Sequence, residues 1–96
     1  MTFQFLPPAQ AELEEAVAYY DQQKPGLGDE FAEEIRRTIR RILVHPEAWA
    51  KLSRRTRRCR TNRFPYGIIY QIRGDSIMIV AVMHMHRKPT YWKQRL

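Results

Sequence analysis

The stretch Arg57–Trp92, RRCRTNRFPYGIIYQIRGDSIMIVAVMHMHRKPTYW, decides how this chain folds. Arg57 to Arg63 alternates two sets, Arg58, Arg60 and Asn62 against Arg57, Cys59, Thr61 and Arg63, as the two faces of a strand do. Phe64-Pro65 closes that strand. Tyr66 to Arg73 then places Tyr66, Ile68, Tyr70 and Ile72 on one face. Gly74-Asp75 is a two-residue Gly-X link, which favours a type II′ hairpin. Ser76 to His86 is apolar on both faces, the pattern of a central strand covered from both sides.

Upstream, Thr2 to Leu6 alternates Phe3 and Phe5 with polar neighbours and predicts a short strand. Pro7-Pro8 ends it, and Pro8 suits a first helical turn, where no N–H is needed. Leu13, Val17 and Tyr20 then form one apolar helix face, with Glu12, Glu14, Glu15 and Asp21 mostly elsewhere. Lys24-Pro25-Gly26-Leu27-Gly28 turns the chain. Asp29 and Glu30 open a second helix whose stripe is Phe31, Ile35, Ile39, Ile42 and Leu43, with Glu33, Glu34 and the arginines outward. Pro46 stops it. Glu47 to Thr56 carries no periodic signal, although Trp49 and Leu52 are suited to anchor it to the core. The predicted order is β-α-α-β-β-β with a short C-terminal tail. It is an α+β fold: a mainly antiparallel four-stranded sheet with a helical hairpin on one face.

At 96 residues the chain makes one domain, 1–96, large enough for a small self-folding core. Its 44% apolar and 11% aromatic content argues against disorder. Cys59 is the only cysteine, so no internal disulfide forms and a reducing cytoplasm is the natural setting. No zinc-type spacing joins it to His45, His84 or His86, so no metal or other cofactor is expected. No export signal is visible, and the apolar run Ile77–Met83 is far too short to span a membrane.

The net charge of +7 is unevenly spread. Residues 1–50 hold nine acids and five Lys/Arg, giving −4; residues 51–96 hold one acid and twelve Lys/Arg, giving +11. Such a field suits nucleic acid or an acidic protein partner. Six arginines within Arg54–Arg63 either serve a partner or keep an edge strand from aggregating. A generic nucleic-acid-binding domain ranks last, because no exposed aromatic series interleaves these arginines and no helix-turn-helix pattern is present.

The element order, the cationic strand, FPYGIIYQI, the GD turn, IMIVAVMHMHR and the tail KPTYW together resemble the RelE/ParE family of bacterial toxins. These are the toxin halves of type II toxin–antitoxin pairs. The helix hairpin with PGLGDEF between its helices resembles the ParE-type branch, often called plasmid stabilisation proteins. The resemblance implies a toxin held inactive by a cognate antitoxin in a hetero-oligomer, and two competing activities. ParE-type members poison DNA gyrase by binding it and are not nucleases. RelE-type members cut messenger RNA on the ribosome without metal.

RNA cleavage of that kind needs a base, a cation for the phosphorane and an acid for the leaving oxygen. The resemblance places these roles at Arg87, after the last strand, and Tyr91 in the tail. His84 and His86 share a strand face by period two, if the strand extends so far, and imidazole exchanges protons near neutral pH. The alternative for both is a structural, hydrogen-bonded histidine. Arg58, Arg60, Arg63, Arg87 and Lys88 are the candidates for target or phosphate contact. Arg60, Arg63, His86 and Arg87 are expected on one continuous surface. Two features favour the ParE branch: the long hairpin, and cations that are almost all arginine, a poor proton donor. Trp92 is expected to pack the tail against the sheet.

Overall fold

The hairpin at Gly74-Asp75 sets the register of the whole sheet. Gly74 adopts φ 63° while Asp75 stays at negative φ, as a II′-type link requires. In the computed structural model, which describes residues 1–96, the elements are β1 (Thr2–Phe5), α1 (Pro7–Gln23), α2 (Leu27–Val44), β2 (Ala50–Lys51), β3 (Arg57–Arg60), β4 (Tyr66–Arg73) and β5 (Ser76–His84). A 3-10 helix, Tyr91–Arg95, ends the chain. The sheet order is β1-β5-β4-β3-β2, antiparallel except for the parallel β1–β5 pair.

The expected succession and the α+β class stand, with five strands instead of four. The added strand, β2, is two residues long and pairs Ala50 with Arg58 and Lys51 with Arg57. Two residues carry no alternation, so no sequence pattern could reveal it. Between α1 and α2, Gly26 takes φ 88°, a left-handed conformation that favours glycine. A Cβ on Gly28 would lie 2.5 Å from the Val17 carbonyl oxygen and 2.8 Å from Asp21 Oδ1. Glycine therefore lets the helices approach, and its N–H donates to Asp21 Oδ1.

β5 is apolar on both faces because both are covered. The α1–α2 hairpin packs on one, over Cys59, Ile68, Tyr70, Ile77, Ile79 and Val82. A bulge opposite Ile69/Tyr70 turns both Val80 and Ala81 to the other face, where Ile69, Met83 and Trp92 complete a second cluster. Trp92, 1% exposed, seals it from the tail, as expected. Trp49 packs on the first cluster and Leu52 on the second, so the segment without periodicity is anchored at both faces. No helix is long and apolar enough to cross a membrane.

Candidate functional site

β1 accompanies β5 only as far as Ile79, and the last edge bond is Leu6 N–H to the Ile79 carbonyl. Beyond it, β5 would expose unpaired backbone groups, which are costly when buried. Side chains replace the missing strand. Val82 N–H donates to Glu12 Oε1 at 3.0 Å, and Arg95 Nη1 donates to the Val80 carbonyl at 2.9 Å. Glu12 also accepts both Arg95 amino groups, at 2.8 and 2.9 Å, and the Tyr91 hydroxyl at 2.6 Å. Arg87 Nη1 lies 3.7 Å from Glu12 Oε2, and its guanidinium sits 3.9 Å from the Tyr91 ring centroid.

One carboxylate from α1 thus ties the tail across β5. The side chains of Glu12 and Arg95 are only 11% and 17% exposed, so this part-buried pair is well shielded from water and approaches a buried one. Breaking such a pair by removing one partner costs about 3–5 kcal/mol. Burial first, then the hydrogen bond to Glu12, hold the Tyr91 phenol far above its ordinary pKa, and Arg95's own hydrogen bonds to Glu12 raise that of the guanidinium. Glu12, read from periodicity as mostly outward, is instead the centre of the network.

His84 lies beside this network at the mouth between α1 and β5. The mouth, a cavity of about 210 Å³, is lined by Glu12, Glu15, Tyr19, Tyr66, His84 and Arg87, among others. β5 ends at His84, so His86 stands on the following turn and not on the strand, contrary to the period-two expectation. The turn nevertheless brings the rings together at 5.0 Å between centroids. His86 N–H donates to His84 Nδ1, which assigns the neutral His84 proton to Nε2. The Tyr66 ring lies 5.2 Å from His84 and belongs to an aromatic cluster with Tyr20, Phe31 and Phe64. Burial raises the Tyr66 pKa.

The candidate arginines separate. Arg63 stays at this end: its guanidinium lies 4.9 Å from the Phe64 centroid and 2.7 Å from Glu30. Its loop is pinned by Glu34, which is 4% exposed and accepts the N–H groups of Asn62 and Arg63. Glu34 is thus a buried anchor and not an outward helix residue. Arg58 and Arg60 pair with Ile69 and Gly67, so they face away from the helices. They share a concavity of about 320 Å³ with Arg41, Trp49 and Asn62. Arg41 bridges to it, donating to the Arg60 carbonyl and stacking over Trp49 at 5.6 Å. The four groups expected on one surface are therefore split: Arg63, His86 and Arg87 border the α1–β5 end, and Arg60 lies with Arg58 at the β3 edge. Lys88 is exposed and makes no ion pair.

A nuclease site would need base, cation and acid to converge on a phosphate. Here Glu12 and Glu15 line the same mouth as His84 and Arg87, Arg87 is partly neutralised, and Tyr91 is a locked phenol. No group of three or more His, Cys, Asp or Glu residues is arranged to hold a metal.

No curated protein matches the chain. A solved chain described as the chromosomal ParDE TA system from P. aeruginosa superposes with a TM-score of 0.77 at 16% identity. It covers 90% of this chain and 97% of its own. At that identity the likeness shows the fold alone. The family model described as ParE toxin of type II toxin-antitoxin system, parDE, matches residues 3–89, from β1 through the His84–Arg87 turn, and by that match this chain belongs to the ParE toxin family.

Proposed function

We propose that this toxin acts by binding an essential protein target, DNA gyrase, and not by cutting RNA. The observation that carries the reading is the Glu12 network. It ties Arg95 and Tyr91 to Glu12, sets the half-exposed Arg87 3.7 Å from the same carboxylate, and places carboxylates beside the histidines. A phosphodiester entering that mouth would meet Glu12 and Glu15, and Arg87, the cation meant to stabilise a phosphorane, stands 3.7 Å from one of those carboxylates. Protein contact needs only a rigid, mixed aromatic and charged surface. Tyr19, 56% exposed, with Tyr66, His84 and His86 supplies one.

The partner that restrains the toxin in the cytoplasm is an acidic, amphipathic antitoxin segment forming a hetero-oligomer. Its seat is the outer edge of α2, where Phe3, Ile39 and Leu43 form an apolar strip beside Arg36 and Arg40. Val44, 68% exposed, extends it towards Trp49. Apolar floor and arginine rim together match such a segment.

The deciding experiment is expression without antitoxin, read two ways. Loss of supercoiling or gyrase-linked DNA breaks is the expected outcome, and the variant H84A/H86A stays free of any ribonuclease phenotype because there is none to lose. Codon-positioned cuts in ribosome-bound messenger RNA that vanish in H84A/H86A or R87Q would overturn the reading in favour of the endonuclease.

A further inference from the structure

The largest cleft, about 450 Å³, is remote in sequence from the histidine turn and lies where β2 ends, β3 begins and β4 ends. Lys51, Arg54, Arg55, Arg57 and Arg73 line it with Gln71 and Ile72. None of these five cations forms an ion pair, whereas Arg36, Arg37, Arg40, Arg63, Arg87 and Arg95 all do.

The cations are held in place by backbone structure. β2 pairs Lys51 with Arg57, and β3 pairs Arg57 with Tyr70. The loop carrying Arg54 and Arg55 is closed at its base: Leu52 N–H donates to the Thr56 carbonyl, and the Ser53 and Thr56 hydroxyls bond one another. Thr56 is fully buried, and Leu52 packs into the far-face cluster. Arg57 spends two bonds on the carbonyls of Glu47 and Trp49, which fixes the wall. Arg73 donates one N–H to Gln71 and keeps its others free. Five like charges held around one concavity repel one another unless an anion enters it.

We infer that this cleft binds the phosphodiester backbone of duplex DNA, independently of base sequence. Arginine forks suit paired phosphate oxygens. No aromatic residue lines the cleft, so it lacks a stacking platform for single strands. Ile72 is its only apolar residue, so it lacks the anchor that an acidic protein segment would need and that the α2 strip offers. The inference does not depend on the gyrase reading, and either can fail alone.

The test measures binding of the isolated chain to a labelled duplex of arbitrary sequence, to one of its single strands, and to polyglutamate, across salt concentrations. With all five cations engaged, log affinity for duplex falls against log salt with a slope of about −4 to −5. In R54Q/R55Q/R73Q the slope falls to about −2 and duplex affinity drops at least about tenfold. The charge-matched control R36Q/R37Q/R40Q, on α2, leaves both near the parent values. Circular dichroism melting of both variants checks that each is folded. The inference is overturned if the two triple variants weaken equally, if single strand or polyglutamate binds more tightly than duplex, or if R54Q/R55Q/R73Q binds like the parent.

Discussion

At the α1–β5 end of the sheet, Arg87 and Arg95 gather round the carboxylate of Glu12. At the opposite end of β4, Lys51, Arg54, Arg55, Arg57 and Arg73 surround a cleft with no carboxylate partner at all. Both groups belong to the half of the chain that carries +11. The difference is made by the acidic half: Glu12 on α1 and Glu30 on α2 reach across to neutralise Arg95, Arg87 and Arg63. Charge summed along a sequence is therefore a poor map of field in space. What the helices cannot reach stays cationic: Arg58 and Arg60 on the far face, Lys88 in the tail, and the largest gathering, five cations round one cleft, at the β2–β4 end.

The sharpest way to break this comparison is Glu12→Ala. It strands Arg95, the Tyr91 hydroxyl and Val82 N–H together, and we expect a loss of about 3–5 kcal/mol in urea unfolding. A loss under about 1 kcal/mol would mean that the network contributes little and that the tail is held by Trp92 alone.

Next comes Tyr70, 0% exposed, whose hydroxyl donates to the Pro46 carbonyl and holds the segment leading to β2 against the sheet. Tyr70→Phe should cost about 1–2 kcal/mol by the same measurement. Burial pushes the Tyr70 pKa up to about 12, from an ordinary value of 10.0. The unfolded chain therefore loses this proton first. The stabilising contribution is intact below about pH 10 and is lost as pH rises through about 12. The parent should unfold more readily over that window, and Tyr70→Phe should flatten the alkaline limb; an unchanged limb would assign it to other tyrosines.

Arg57→Gln tests the cleft wall. It removes two charge-assisted bonds to carbonyls, and thermal unfolding should reveal about 1–3 kcal/mol, more than for any other cation of the cleft. The smallest effect belongs to R54Q/R55Q/R73Q, which should change stability by less than about 0.5 kcal/mol. Equal destabilisation by this triple and by Glu12→Ala would erase the distinction between a paired end and an unpaired one.

Much of the fold was legible in the residues. β4 runs from Tyr66 to Arg73 as the alternation indicated, Gly74-Asp75 turns as a Gly-X link should, and PGLG separates the helices. The site was less legible. His84 and His86 do come together, but through a turn, since β5 stops once its pairing with Tyr66 is spent. Glu12 and Glu34 sat on positions that helical periodicity reads as polar and outward. Each is instead enclosed by N–H groups from chain 70 and 28 residues away, respectively. Periodicity states which side of a helix is apolar; it does not state which polar group a distant strand will meet.

Local chemistry thus determined the elements of this protein, their order, the family resemblance and the excess of positive charge in its second half, because turn glycines and apolar periods act within a few residues. Which cations remain free was decided only in three dimensions, because ion pairing depends on what the folded chain brings within about 4 Å, and no spacing in the sequence encodes that distance.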